Sequence, residues 1–412
     1  MQPATTPISG IKVVELSTYV AVPAAGRILA EWGAEVIKIE AKGGELWRHY
    51  PEIGFQVPSN EEENPLFDLY NAYKKSLVLD LKTEAGRQVM DDLLDSADIF
   101  ITNNRVKSLK QNGLDWESLH AKYPKLIYGL LTGFGEKGPD ASKPGFDMVA
   151  YWVSSGFMMD LRIDADNNYP IYPPFGVGDV TTGSMLLTGI LAALYNRTKS
   201  GLGDKISTSL YGCAIWTMAT MNCPAQEKYN YKYPKKRTEG TPLSLPFRAR
   251  DGEWISLSVL DYERYYATVF HLLGLDDLID DPRFTTRKAY VQPENKAYLI
   301  ERMEAAFLQK DADEWCVLLT QADIVNDKLM HFRDISKSEQ AIVNHNVEEF
   351  TFANGEKAMM ARPPVQSEYL GFPKLKAAPL LGADTLDILK KIGYSQEKIE
   401  KLLQEGIVCA HE

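Results

Sequence analysis

The segment PPFGVGDVTTG, residues 173–183, places Asp179 between two glycine-containing stretches, just ahead of an apolar helical pattern over 184–197. A carboxylate at such an entry can accept backbone N–H bonds and feel the positive end of the helix dipole, both of which favour its charged form. Gly178 and its neighbours let a bulky ligand approach the backbone closely. An ionised carboxylate in that position could attack an activated acyl group as a nucleophile. Aspartate is also a preferred N-cap residue, so the same position reads as an ordinary helix start.

A second segment, GFGEKG at 133–138, follows an apolar run and matches the glycine spacing of a dinucleotide loop. Pro139, Asp140, Pro144 and Gly145 come next, so no helix opens where a pyrophosphate would need a helix N-terminus. A mobile glycine loop built on Gly133 and Gly135, beside an active site, fits better than a nicotinamide site. Lys74, Lys75, Lys82, Arg105, Lys107 and Lys110 fall near the ends of the early strands and helices. Ligands of open α/β sheets bind beyond the carboxyl ends of strands, so some of these cations could meet phosphates. Solvated surface lysine is the alternative for each one. The six histidines form no metal-binding pair, and neither a GxSxG elbow nor a Walker loop is present. No metal and no ATP are expected.

The elements that must position these residues are legible in outline. Apolar runs at 11–16, 35–40, 76–81, 98–102 and 126–131 read as strands, and helical patterns cover 21–32 and 83–96. Strands alternating with helices imply a parallel sheet with helical crossovers, an α/β fold. After about residue 229 the texture changes. A Tyr-, Lys- and Pro-rich connector precedes a hairpin over 247–259, turned at Asp251-Gly252, and three helical patterns at 262–273, 296–309 and 312–322. Residues 350–352 and 363–373 look like irregular strands, and 382–405 returns to two helices split at 393–395.

Composition sets the outer bounds. The 412 residues carry a formal net charge of -11, which argues against nucleic-acid or anionic-membrane partners. Four separated cysteines read as reduced thiols of a cytoplasmic protein. The apolar run 184–194 is too short to span a bilayer.

The pattern as a whole resembles the family III coenzyme A transferases, the group of carnitine, formyl and aryllactate CoA transferases. GIKVVELSTYVAVPAAGRILAEWGAEVIKIE resembles their opening βαβ unit. NAYKKS, ADIFITNNR, LTGFGEKGP, GVGDVTTG and the closing AAPLLGADTLDILKKIGYSQEKIEKL follow in the family's order. The resemblance implies an open Rossmann-like large domain over 1–222, a smaller α+β domain over 223–332, a return over 333–412, and an interlocked homodimer. It makes Asp179 the catalytic nucleophile and sets Val20, Leu79, Lys82, Asn103 and Arg105 along the CoA site. Two arginines of some members are Ala41 and Gln111 here, so Lys42 and Lys110 are expected to replace them. The substrates implied are an acyl-CoA and a free acid, closest to an (R)-2-hydroxy acid, with carnitine-like, bile or dicarboxylic acids as alternatives. Related α-methylacyl-CoA racemases use a Gly-His-Asp step, which is Gly145-Phe146-Asp147 here. Phe146 cannot carry a proton, and Asp147 is expected to support the thioester. Pocket walls are expected from 151–172 and 229–245.

Overall fold

A computed structural model describes residues 6–161, 170–368, 371 and 373–411. The chain divides into two compact units, the first made of Met1–Phe157, Pro173–Pro224 and Ser336–Glu412, the second of Met158–Tyr172 and Ala225–Ile335.

In the first unit, β1 (Lys12–Leu16), α1 (Ala21–Glu31), β2 (Glu35–Glu40), β3 (Lys75–Leu79), β4 (Ile99–Thr102), β5 (Ile127–Thr132) and β6 (Lys205–Ser209) succeed one another. The intervening and following helices include Glu84–Asp95 and the long helix Val177–Ser200. Val14 of β1 is in register with Ile37 on one side and Phe100 on the other, both pairings parallel. The sheet order is β12-β3-β2-β1-β4-β5-β6, where β12 (Val408–Cys409) is antiparallel to β3. The strand order therefore reverses between β1 and β4, and that switch point is where open α/β sheets take ligands. Apolar residues of the strands, among them Leu77, Phe100 and Tyr128, pack with Val89, Leu93 and Leu389 into one core. Thr83 caps the helix Glu84–Asp95 through the Gly86 N–H, as the sequence pattern suggests.

Three expectations need correction. The long helix begins at Val177, so Asp179 is the third residue of its first turn and Gly176 occupies the cap. That helix is also long and apolar enough to cross a membrane, against the reading of 184–194. It packs on α1, β5 and β6, and the fit is tight: a side chain at Gly183 would fall 2.1 Å from the Ala21 carbonyl oxygen. Finally, the described part of 363–373 contains no strand, and β10 (Val347–Thr351) instead pairs with β11 (Lys357–Ala361). β6 was not legible as a strand, because KISTS is polar and only half-buried along its length.

The second unit is built on the antiparallel sheet β7 (Pro246–Arg248), β8 (Trp254–Leu257) and β9 (Asn326–Lys328). Helices Tyr262–Leu272, Pro293–Phe307 and Ala312–Gln321 enclose a core of Phe247, Phe270, Phe307 and Trp315. The Trp315 indole N–H donates to the Phe307 carbonyl at 2.8 Å, so the polar end of that buried ring is satisfied.

Candidate active site

β1 and β4 end side by side, and Asn103 ties the two ends together. Its Oδ1 accepts the Thr18 N–H at 3.0 Å, and its Nδ2 donates to the Thr18 carbonyl at 2.8 Å. The next residue, Tyr19, has φ +63°, a left-handed conformation that a residue with a bulky side chain adopts rarely. Holding it there costs about 1–3 kcal/mol, which the surroundings must supply. Part of that support is the Glu45 carboxylate, which accepts the Tyr19 N–H at 2.6 Å.

Glu45 belongs to a buried chain of alternating charge. Lys38 pairs with Glu45 at 2.7 Å and with Glu15 at 3.1 Å, and Lys74 pairs with Glu15 at 2.8 Å. Burial pushes the Glu15 carboxyl up, but the ammonium groups of Lys74 and Lys38 outweigh it and hold the pKa below the usual value. Burial brings Lys74 down to about 8 despite Glu15. Lys74 is therefore a scaffold cation, not a phosphate ligand, and Lys75 is paired with Glu35.

Asp179 sits in an opposite environment. Only 8% of it is exposed, and among the described residues no hydrogen bond or ion pair reaches its carboxyl. Burial, and after it the nearby Asp147 carboxylate, push its pKa up to about 7. The helix end is expected to favour its charged form, and burial with Asp147 outweighs that pull. Desolvation exceeds the modest pull of the helix dipole.

Asp147 opens a single-turn π-helix, Asp147–Trp152, a geometry that recurs at functional sites. Its Oδ2 accepts the Gly176 N–H at 2.7 Å, while Oδ1 is buried without a well-formed hydrogen bond. Burial raises its pKa, against the lowering pull of the Gly176 N–H and of the Trp152 indole and Gly178 N–H that face it. Gly178 is required here: a Cβ would lie 2.2 Å from Asp147 Oδ1 and 2.4 Å from the Tyr151 ring. Tyr70 also borders the pair. Its phenol is raised to about 12 by burial and by the charges of Asp179 and Asp147, so it stays protonated.

Asp179 lines a cavity of about 880 Å³, set at the switch point and walled entirely by the first unit. Of the residues expected at the site, the cavity gathers Asn103, Arg105, Lys110, Gly133 and Phe146 with Asp179. Asp147 and Gly178 lie buried beside it, and Gly135 shapes its glycine loop through an N–H bond to Thr132 Oγ1 at 3.0 Å. Val20, Leu79, Lys42 and Lys82 are not gathered. Val20 is packed in a cluster with Trp47 and Phe67, and Leu79 is in the sheet core. Lys42 and Lys82 are exposed in the turns after β2 and β3. Residues 229–245 belong to the second unit, and part of 151–172 lies outside the described residues.

The cavity adds residues that sequence reasoning missed. Tyr19, Tyr50 and Phe175 join Phe146, and Lys143 and Lys205 join Arg105, Lys107 and Lys110. Lys205 is paired with Glu136 at 2.6 Å, whereas among the described ion pairs none uses Arg105, Lys107 or Lys110. Phe175 stands four residues before Asp179 in the motif already singled out, so its place was open to inference; Tyr50 gave no signal.

An α/β sheet whose switch point holds one cavity lined by a desolvated carboxyl and by several cations suits an anionic ligand. Comparison with known proteins gives the class. Residues 8–385 match CoA-transferase family III. The chain is 33% identical over 402 residues to the (R)-2-hydroxy-4-methylpentanoate CoA-transferase of Clostridioides difficile, covering 97% of this chain and 99% of that relative. It is 35% identical over 406 residues to the cinnamoyl-CoA:phenyllactate CoA-transferase of Clostridium sporogenes, covering 98% and 97%. The crystal structure of a CAIB/BAIF family protein from Brucella suis superposes with a TM-score of 0.79 at 28% identity, covering 94% of this chain and 99% of that one. The chain belongs to CoA-transferase family III. It is a CoA-transferase, and its substrates are CoA thioesters.

Proposed function

We propose that the enzyme transfers CoA from an acyl- or enoyl-CoA to an (R)-2-hydroxy acid, with Asp179 as covalent nucleophile. The observation that carries this reading is the Asp179 carboxyl, buried and among the described residues unpaired with any cation, in the cavity that Arg105, Lys107 and Lys110 also line. The two relatives named above, both acting on 2-hydroxy acids by their names, support the choice of acceptor.

The reaction runs in balanced steps. The ionised Asp179 carboxylate attacks the donor thioester carbonyl, the C–S bond breaks, and CoA leaves as thiolate. The thiolate attacks the Asp179 acyl carbon of the resulting anhydride, releasing the first acid as carboxylate and leaving an aspartyl-CoA thioester. The acceptor carboxylate attacks that thioester and expels the thiolate again. The thiolate then attacks the acceptor's carbonyl in the second anhydride, forming the product thioester and restoring Asp179. No net proton is exchanged, and covalent catalysis divides one difficult exchange into easier ones. The anhydrides need protection from water, a role suited to the loop of Gly133 and Gly135.

Among the cavity-lining residues there is no histidine, which disfavours α-proton exchange of the racemase type. The enzyme is further read as a cytoplasmic homodimer, supported by free cysteines and by large apolar side chains such as Trp216 and Tyr195 that this chain leaves exposed. Incubation with an acyl-CoA followed by borohydride or hydroxylamine, read by mass spectrometry, should modify Asp179 alone. An unmodified Asp179 in protein that binds CoA would overturn the covalent route.

A further inference from the structure

Among the described residues, Tyr19 is the only non-glycine of the cavity wall with a left-handed backbone. Glycine takes up that conformation freely, whereas a tyrosine there has to be held. Its N–H donates to the Glu45 carboxylate at 2.6 Å, Lys38 pairs with Glu45 at 2.7 Å, and both side chains are buried. A hydrogen bond to an ionised acceptor is roughly twice as strong as a neutral one. Glu45 is itself fixed through its backbone. Its N–H donates to Glu40 Oε1 at 3.2 Å, and the Arg48 guanidinium grips both oxygens of Glu40 at 2.8 Å.

What Tyr19 governs lies next to it in the chain and beside its ring. Val20 caps α1 directly after it, and Ala21 opens that helix. The Ala21 carbonyl oxygen would lie 2.1 Å from a side-chain carbon at Gly183, one turn beyond Asp179 on the long helix. Any swing of α1 about Tyr19 therefore moves its first residue against the backbone that carries Asp179. The ring forms a second route. It meets Phe146 edge-on at 5.1 Å, and the next residue, Asp147, accepts the Gly176 N–H at 2.7 Å. Gly176 is the cap of the same long helix. Through its chain and through its ring, Tyr19 bears on both sides of the turn that presents Asp179.

We propose that Glu45 is a positioning residue for the transfer: by holding the Tyr19 backbone left-handed, it fixes where the Asp179 carboxyl stands relative to the bound thioester. Protein interiors are packed as densely as organic crystals, so they pass such a displacement on. A misplacement of about 1 Å at the reacting atoms can cost about a hundredfold in rate. The competing account is that Glu45 serves only to neutralise the buried Lys38 ammonium. The two differ in what a glycine at position 19 does. Glycine needs no support at positive φ, yet it leaves the charge on Lys38 as it was.

This inference rests on the CoA-transfer reading, and the test separates the two. CoA exchange is measured with the fastest acyl-CoA and acid pair from a panel that includes (R)-2-hydroxy-4-methylpentanoate and (R)-phenyllactate. Two double variants, Lys38→Met with Glu45→Gln and Lys38→Met with Glu45→Leu, remove the buried pair and carry the same charge. Only the glutamine keeps an acceptor for the Tyr19 N–H. The leucine variant should lower kcat by about 30- to 100-fold with KM for acyl-CoA within about threefold, and the glutamine variant should stay within about fivefold of wild type. With Tyr19→Gly added to each, the two should differ by less than about threefold. Equal kcat in the two double variants, a loss confined to KM, or a gap that persists on Tyr19→Gly would overturn the positioning role while CoA exchange itself remains. If circular dichroism shows the leucine variant unfolded, adding Tyr19→Gly should restore folded enzyme with the kcat of the matching glutamine variant, and failure to do so counts equally against the proposal. A wild type that exchanges CoA with no acid of the panel would overturn the transfer reading on which the proposal depends.

Discussion

Glu15 and Asp179 are both buried carboxyls in the same unit, and they behave in opposite ways. Glu15 is paired with two buried lysines and lies below its usual pKa in spite of burial. Among the described residues Asp179 has no cation and one carboxylate neighbour, and it rises to about 7. The first arrangement stabilises a charge that never needs to react, and it fixes the loop carrying Tyr19 and Glu45. The second keeps a charge poorly stabilised until a substrate arrives. Burial alone therefore does not single out a carboxylate; burial without a counter-ion is what makes Asp179 the candidate.

The sharpest way to test that contrast is to neutralise each carboxyl system in turn. Asp179→Asn should lower kcat by at least about a thousand-fold in a CoA-exchange assay. It should also stabilise the fold by roughly 1–2 kcal/mol at pH 8 in urea denaturation, because strain at a functional site is relieved. Wild-type-like stability with activity lost would leave the chemistry intact but weaken the claim that the charge is held at a cost. Lys74→Met should do the reverse, destabilising by about 3–5 kcal/mol because Glu15 is left buried with half its counter-charge, while kcat per folded molecule changes little.

pH provides a smaller effect. The proposed route uses ionised Asp179, so kcat/KM should rise with pH through about 7. Asp147→Asn removes the neighbouring negative charge and should move that limb to lower pH; a limb that stays in place would remove Asp147 from the electrostatics. The stability linkage has the opposite sign. Between its ordinary pKa and about 7 the folded state binds more protons at Asp179 than the unfolded state, so its contribution to stability falls as pH rises. The smallest effects should come from the cations. Arg105→Ala and Lys110→Ala should raise KM for acyl-CoA several-fold, since each leaves a phosphate-bearing ligand one charge short in the cavity. Lys42→Ala and Lys82→Ala, outside the cavity, should leave it within about twofold in steady-state kinetics.

Much of the scaffold was legible because it depends on local chemistry. Thr83 as a cap, Asp251-Gly252 as a hairpin turn and β1-α1-β2 as a unit all follow from residues adjacent in sequence. The candidate site was legible only as far as Asp179 and its motif. The helix start escaped because Gly176, Val177 and Gly178 read as loop, although Gly176 is a left-handed cap and Gly178 serves close approach within the first turn. Lys74 could not be told from a surface lysine, because its partner Glu15 is brought to it across two strands of the sheet. The raised pKa of Asp179 likewise depends on what surrounds it in space, which no local pattern encodes.

The pairing of β12 with β3 has a consequence for how the chain is made. Leu79 waits for Val408 as its neighbour, so on a ribosome the edge of the main sheet stays open while more than three hundred further residues emerge. The three-stranded unit within Ala225–Ile335 is complete in sequence well before that partner appears, and it can become compact first. Synthesis thus exposes one parallel sheet edge for most of its duration, and that edge cannot close before a two-residue strand is made.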